Sequence, residues 1–179
     1  MFLIRKADQD DFLDIANIHF TSWHAAYLEL LPESYINKKN NLSEKVKMWQ
    51  EIISHPNVTV WIASDSSNND DNKHNSVGFI GCFNKGNEYE ITTLYVLPEY
   101  QHLGIGTQLM NTALSDILTI THNPSLHLWV LKDNISAIQF YKKQGFVVSG
   151  EISETLYEDT KIVDIKMIRS NQTKKALAT

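Results

Sequence analysis

The sequence predicts an α/β protein, a mixed sheet covered by helices on both faces. Three observations carry that expectation. Seven segments read as strands and four as helices, in the order β-α-α-β-β-β-α-β-α-β-β. The middle strands follow one another directly, whereas the later ones alternate with helices. No internal repeat and no second composition regime interrupts the 179 residues. One domain over residues 1–169 is therefore expected, with a flexible polar tail at 170–179.

Phe2 to Lys6 reads as a short strand. From Asp8 onward, Phe12, Ile15, Ala16, Ile18, His19, Trp23, Ala26 and Tyr27 recur at helical spacing, until Pro32 ends or redirects the segment. Ser43 is expected to cap a second helix reaching Ser54, with Val46, Trp49, Ile52 and Ile53 as its apolar stripe. Val58 to Ala63 and Val77 to Phe83 are β-rich. Between them, Ser64 to Ser76 contains no large apolar residue and reads as a flexible, solvated loop. Its Asp65, Asp70, Asp71 and His74 match no recognised metal-binding loop. Gly86 and Asn87 turn the chain into a strand from Glu88 to Leu97. Ile105 to Ile120 is amphipathic, with Leu109, Met110, Ala113, Leu114, Ile117 and Leu118 on one face. Leu126 to Leu131 is a strand. Ser136 to Gln144 is a helix entered through Asp133-Asn134, and Gly145 suits the left-handed position that stops it. Phe146 to Ser153 and Thr160 to Ile168 complete the sheet.

Composition removes several functional classes. Sixteen Lys+Arg against 21 Asp+Glu leave a net charge of -5, the wrong sign for a non-specific nucleic-acid or anionic-membrane binder. No apolar run is long enough to span a membrane, and the opening one is too short and too soon charged for a signal peptide. A cytoplasmic location is expected. Cys82 is the only cysteine, which excludes an intramolecular disulfide and a multi-cysteine zinc site and reads as a core thiol. No metal cofactor is expected.

The segment from Leu94 to Thr107, LYVLPEYQHLGIGT, concentrates the chemistry. A strand runs into a turn, and glycines 104 and 106 then open a long helix. The first turn of a helix carries unpaired N–H groups at the positive end of its dipole, which attract an anion. Glycines let a phosphate approach the backbone with no Cβ in the way. From these residues alone, glycines serving only a tight turn and close packing remain the alternative. A P-loop is excluded because Thr107 and Gln108 follow Gly106 where Lys-Ser/Thr is needed. A dinucleotide fingerprint is excluded because Leu109 stands at its third small position.

Gln101-x-x-Gly104-x-Gly106 after Leu-Tyr-Val-Leu-Pro-Glu resembles the acetyl-CoA signature of the GNAT N-acetyltransferases. A second stretch, Leu128 to Phe146, is similar to the family's Asn…Ala…Phe-Tyr…Gly-Phe segment, carried here by Asn134, Ala137, Phe140, Tyr141, Gly145 and Phe146. Ile4-Arg5-Lys6-Ala7 with Asp11, and Ser22-Trp23 with Tyr27 and Leu31-Pro32, resemble small bacterial members. The resemblance covers about residues 3–169. It implies a mostly antiparallel seven-stranded sheet splayed between its fourth and fifth strands, about four helices, and acetyl-CoA as co-substrate. Backbone groups of Leu94 and Val96 would bond the pantetheine arm. N–H groups of His102, Leu103, Gly104, Ile105, Gly106 and Thr107 would hold the pyrophosphate, with Gln101 at the loop entrance. Lys142 or Lys143 would reach the 3′-phosphate, or merely face solvent. Asn134 would bond the cofactor, or only cap its helix.

Acetyl transfer to an amine needs a proton acceptor, since an alkylamine with pKa near 10.4 arrives protonated at neutral pH. Glu90 matches the family position of that base, with Glu88 behind it. Lying roughly 13 Å up the strand from Leu94, it would act through water; a charged strand end in solvent is the alternative. Tyr141 matches the general acid and would hydrogen-bond the leaving thiolate, unless it is a core tyrosine. A backbone N–H, that of Val96, would polarise the carbonyl, and attack would be direct within a ternary complex. For the acceptor, the first helices offer Trp23, Tyr27 and Glu29, and the last turn offers Glu151, Glu154, Tyr157, Glu158 and Asp159. This acidity favours a cationic amine, while small amines, amino-acid-like compounds and protein N-termini stay open. A non-catalytic acyl-CoA sensor of the same fold is the rival reading. Lys161 to Ile168 is an edge-strand candidate for a homodimer.

Overall fold

Tight turns at Gly86 and Glu158 close two antiparallel hairpins, and a helical crossover makes the one parallel pair, around which the site forms. The computed structural model describes residues 1–66 and 75–169. The expected loop falls largely on 67–74, and the expected tail on 170–179, both outside the described residues. Strands β1 (Phe2–Lys6), β2 (Val58–Asp65), β3 (Ser76–Lys85), β4 (Glu88–Val96), β5 (Ser125–Leu131), β6 (Val147–Tyr157) and β7 (Thr160–Arg169) form one sheet in the order β1-β2-β3-β4-β5-β7-β6. All neighbours are antiparallel except β4 and β5. The helices are α1 (Phe12–Tyr27), α2 (Glu33–Lys39), α3 (Leu42–Ile52), α4 (Ile105–Ile120) and α5 (Ile135–Lys143).

Three expectations are corrected. There are five helices rather than about four: Pro32, with φ −57°, redirects the chain into a further helix, α2, at whose N-cap it stands. Seven residues with only Ile36 buried are too short to register as a periodic pattern. Asn41, not Ser43, caps α3: its Oδ1 accepts the Glu44 N–H at 3.2 Å, and the Ser43 hydroxyl donates to the same oxygen. Finally, β7 is not an edge. The hairpin through Glu158 (φ +50°) returns β7 between β5 and β6, leaving β6 outermost.

The sheet separates two cores. On one face, Ile105, Leu109, Met110 and Ala113 of α4 and Ile138 of α5 pack on Ile80, Ile91, Leu126 and Leu128. On the other, Ile15, Ala16 and Ile18 of α1 and Trp49 of α3 pack on Val60, Ile62 and Phe79. Arg5 and Asp11 join the first strand to the start of α1 through two hydrogen bonds of 2.7 Å. At the other end of the chain, α5 stops as expected. Gly145 takes φ +87°, and the Phe146 N–H reaches back to the Tyr141 carbonyl while the Gly145 N–H reaches that of Lys142.

A β-bulge sits in the middle of β4. Ile91 pairs with Cys82 and Thr93 with Gly81, so Thr92 is an extra residue on that strand. Its hydroxyl donates to the Gly81 carbonyl at 3.2 Å. A Cβ on Gly81 would stand 2.6 Å from the Thr93 Oγ1, which explains glycine there. The bulge reverses side-chain parity. Tyr89, Ile91, Leu94 and Val96 all join the α4 core, whereas Tyr95 and Leu97 join the α1 core. Glu90 and Leu94, four residues apart, consequently lie on opposite faces.

Beneath Tyr95 the α1 core contains a polar inclusion. His19 is buried and stacks on Tyr95 at 4.9 Å, and its Nδ1 accepts the Trp49 indole N–H at 3.0 Å. Burial, with help from nearby Lys45, pushes the imidazole down to about 3. Burial likewise lowers Lys45 to about 8. Between pH 3 and 6.5 the unfolded chain binds a proton at His19 that the fold refuses, so this group's contribution to stability is lost as pH falls through that window. The expected slope is up to about 1.4 kcal/mol per pH unit. His19→Gln, which keeps an acceptor for Trp49, should flatten it; urea unfolding of both proteins at pH 7 and pH 5 measures the difference.

Candidate active site

The β4–β5 ladder is short. Glu88 pairs with Ser125, Tyr89 with Leu126 and Glu90 with His127, and no further pair follows. Beyond that point β4 stays with β3 as far as Val96, and β5 stays with β7 as far as Leu131. The two strands part. A cleft of about 980 Å³ opens between them, bounded by Leu94, Tyr95 and Val96 on one side and Trp129 and Val130 on the other. It reaches both layers: Ser22, Ala26 and Tyr27 of α1 line one end, and α4 with Phe140 and Tyr141 of α5 line the other.

At the α4 end the expected anion cradle takes shape. His102 (φ +63°) and Gly104 (φ +80°) are both left-handed, and Gly104 occupies the N-cap of α4 with no side-chain cap bond and no acid in the first turn. The first-turn N–H groups therefore face the cleft uncapped and with no competing negative charge. A Cβ on Gly104 would meet only the Gln108 amide at 3.9 Å, so glycine answers the backbone angle, not crowding. Gln101, His102, Gly104, Ile105, Gly106 and Thr107 line the cleft, while Leu103 lies outside the lining and is exposed. The Gln101 Nε2 donates to the Val96 carbonyl at 3.2 Å, tying loop to strand. Gln144 donates to the Thr107 hydroxyl at 3.3 Å. Asn134 and Lys143 also reach the lining. The Asn134 Oδ1 caps α5, accepting from the Ala137 N–H at 3.1 Å. An uncapped helix start bordered by left-handed residues fits the diphosphate of coenzyme A.

At the α1 end three phenols meet across the gap. Tyr27 and Tyr95 line it together with Tyr141 of α5, and the three hydroxyls interact electrostatically although Tyr141 comes from the opposite layer. Burial raises all three above the ordinary phenol range. They are O–H groups at neutral pH, able to donate to developing negative charge and unable to take a proton. A base must come from elsewhere.

Glu90 lies at the closed apex of the fork. Its Oε2 is 3.6 Å from the His127 Nε2, and the Glu88 Oε1 is 3.4 Å from the Nδ1 of the same buried ring. Neither glutamate lines the cleft. Of the acceptor residues read from sequence, Tyr27 lines it. Trp23 packs against Tyr27 at 4.8 Å, with the Lys45 ammonium over its ring, and Glu29 is exposed beyond the end of α1. Sequence reasoning passed over Tyr95 and Trp129. Both look like ordinary strand aromatics, and only the bulge and the parted ladder bring them into the cleft. Among the described residues no cluster of side chains is arranged to hold a metal ion, and no helix is long and apolar enough to cross a membrane.

The comparisons with known proteins agree with this geometry. Residues 19–146 match the acetyltransferase (GNAT) family. The chain is 30% identical over 147 residues to the uncharacterised N-acetyltransferase YuaI of Bacillus subtilis, covering 79% of this chain and 78% of that one. It is 28% identical over 162 residues to a spermidine N(1)-acetyltransferase of Thermoplasma acidophilum, covering 87% and 97%. Its fold is that of the PaiA N-acetyltransferase from Thermoplasma acidophilum, solved in complex with coenzyme A: TM-score 0.72, 24% identity, 95% of this chain and 99% of the other. The chain belongs to the GNAT family. It is an acetyl-CoA-dependent N-acetyltransferase.

Gly104→Ala places a side chain in the left-handed region, at a cost of about 1–2 kcal/mol. Coenzyme A affinity should fall about tenfold by titration calorimetry, while Gly86→Ala, strained alike but in the distant β3–β4 turn, should leave it unchanged.

Proposed function

We propose that this protein acetylates a primary amine on a small cationic acceptor, by direct attack on acetyl-CoA within a ternary complex. The observation that carries this is the meeting of three neutral phenols at the parted strands, in one cleft with an uncapped helix start. Acetyl-CoA supplies the thioester. The residues from His102 to Thr107 hold its diphosphate, and the open side of Leu94 and Val96 receives its amide arm. Lys143 and Asn134 lie where the same molecule passes. Tyr141 donates a hydrogen bond to the departing sulfur, where fixed donors are worth most.

Tyr27 forms the acceptor wall and Trp23 holds it in place. Glu29 adds negative charge at the rim. Glu90, steadied by His127, takes the amine proton through water, because its place at the fork apex is off the cleft wall. A small cationic acceptor is supported by the overall acidity and by a relative that acts on spermidine over nearly the whole chain length. Self-association, in this reading, belongs to the β6 edge, which exposes Val147, Ile152 and Leu156.

Thiol release from acetyl-CoA over a panel of primary amines tests the reading. Coenzyme A binding without turnover on any amine would sink it. Tyr141→Phe should lower kcat about a hundredfold with little change in KM for acetyl-CoA. Glu90→Gln should lower kcat by a similar factor at pH 7 and recover toward pH 10, as the free amine fraction rises.

A further inference from the structure

Trp129 stands in the cleft wall with 38% of its surface exposed. Its neighbours along β5, Leu128 and Val130, are buried in the α4 core, so strand alternation turns the indole to the opposite, α1 face of the sheet. The bulge in β4 brings Tyr95 to that same face, and α1 adds Ala25, Ala26 and Tyr27 to the lining. Single exposed apolar side chains are common on a protein surface. An open indole inside a cleft, among other aromatic and small apolar residues, is the composition of a ligand wall.

The indole already serves one cation. Lys166 reaches it from β7, on the side of β5 away from the gap, and places its ammonium 6.0 Å from the ring centre. Glu151 holds that ammonium at 3.1 Å. With ring density committed to Lys166, a second cation gains little from the cleft side. The charges of the lining agree. Among the described residues the cleft wall contains no Asp or Glu. Glu29 is exposed beyond the end of α1, and Glu88 and Glu90 face His127 at the apex.

Resting on the amine-acetyltransferase reading above and narrowing it, we infer that the reacting amine is the acceptor's only cation, and that it is borne on an aromatic body which stacks on the cleft side of Trp129, beside Tyr27 and Tyr95. The reacting ammonium gives up its proton before attack, so it needs no permanent countercharge on the wall. A second ammonium stays charged throughout, and leaving water without a partner there costs it free energy. A ring gains instead, from stacking and from the water it sheds. Trp129 is thus a specificity residue, which touches the body of the acceptor and takes no part in bond making.

The test compares 2-phenylethan-1-amine, butan-1-amine, butane-1,4-diamine and spermidine on the wild type, Trp129→Ala and Trp129→Phe. In the wild type, KM for the aromatic amine should be at least about tenfold below that for each of the others, the worth of one stacked and desolvated ring. Trp129→Ala should erase that preference by raising KM for the aromatic amine, and Trp129→Phe should keep most of it. Coenzyme A affinity, read by titration calorimetry, should be unchanged in both variants and so report an intact cleft. A wild-type KM for the diamine or spermidine at or below that for the aromatic amine would overturn the inference, as would equal losses on every amine in both variants. Titrating 2-phenylethan-1-amine into the coenzyme A complex separates it from the reading it rests on. Binding that needs Trp129, with no turnover of any amine, sustains the aromatic platform and removes the acetyl transfer; turnover that favours polyamines does the reverse.

Discussion

Everything at the site follows from two neighbouring parallel strands that hold together for three residue pairs and then separate. β4 is committed to β3 by a full antiparallel ladder, and β5 is committed to β7 by another. The bulge at Thr92 bends β4 just beyond the last pair it makes with β5. Closing the fork would mean breaking one of these ladders. Left open, it exposes strand backbone in the middle of a sheet, where polar groups need partners. A ligand bearing amides of its own satisfies that need, and the α4 N-terminus at the mouth of the fork favours one ending in phosphate.

The cleft keeps unlike electrostatic tasks apart. At the α4 end, left-handed residues and an acid-free first turn favour an anion. Where the layers meet through the gap, burial keeps Tyr27, Tyr95 and Tyr141 protonated, so this stretch offers donors without formal charge. The carboxylates of Glu88 and Glu90 lie beyond, against His127 at the apex. A carboxylate beside the α4 cradle would repel a diphosphate, so the spatial order of charges matters as much as their identity.

The neutral inclusion of His19 and Trp49 supports this order from below. It offers Tyr95 a flat aromatic partner and holds α3 to α1 under the cleft wall. A charged group there would face the same burial that drives the His19 imidazole to its neutral form. Stability of the wall and neutrality of the inclusion are thus one requirement.

Local chemistry determined much in advance. Gly104 and Gly106 at a helix start, the Asn134 cap, the Gly145 stop and the strand order along the chain are written in residues close together in sequence, because turns, caps and helix dipoles act over a few residues. The match of Tyr141 to its family segment was legible for the same reason. Tertiary structure decided what depends on pairing at a distance. The bulge that turns Tyr95 away from Leu94, the return of β7 between β5 and β6 and the retreat of Glu90 to His127 leave no local signature. An extra residue in one strand is visible only against its partner, and a carboxylate acquires its character from side chains that only the fold brings beside it.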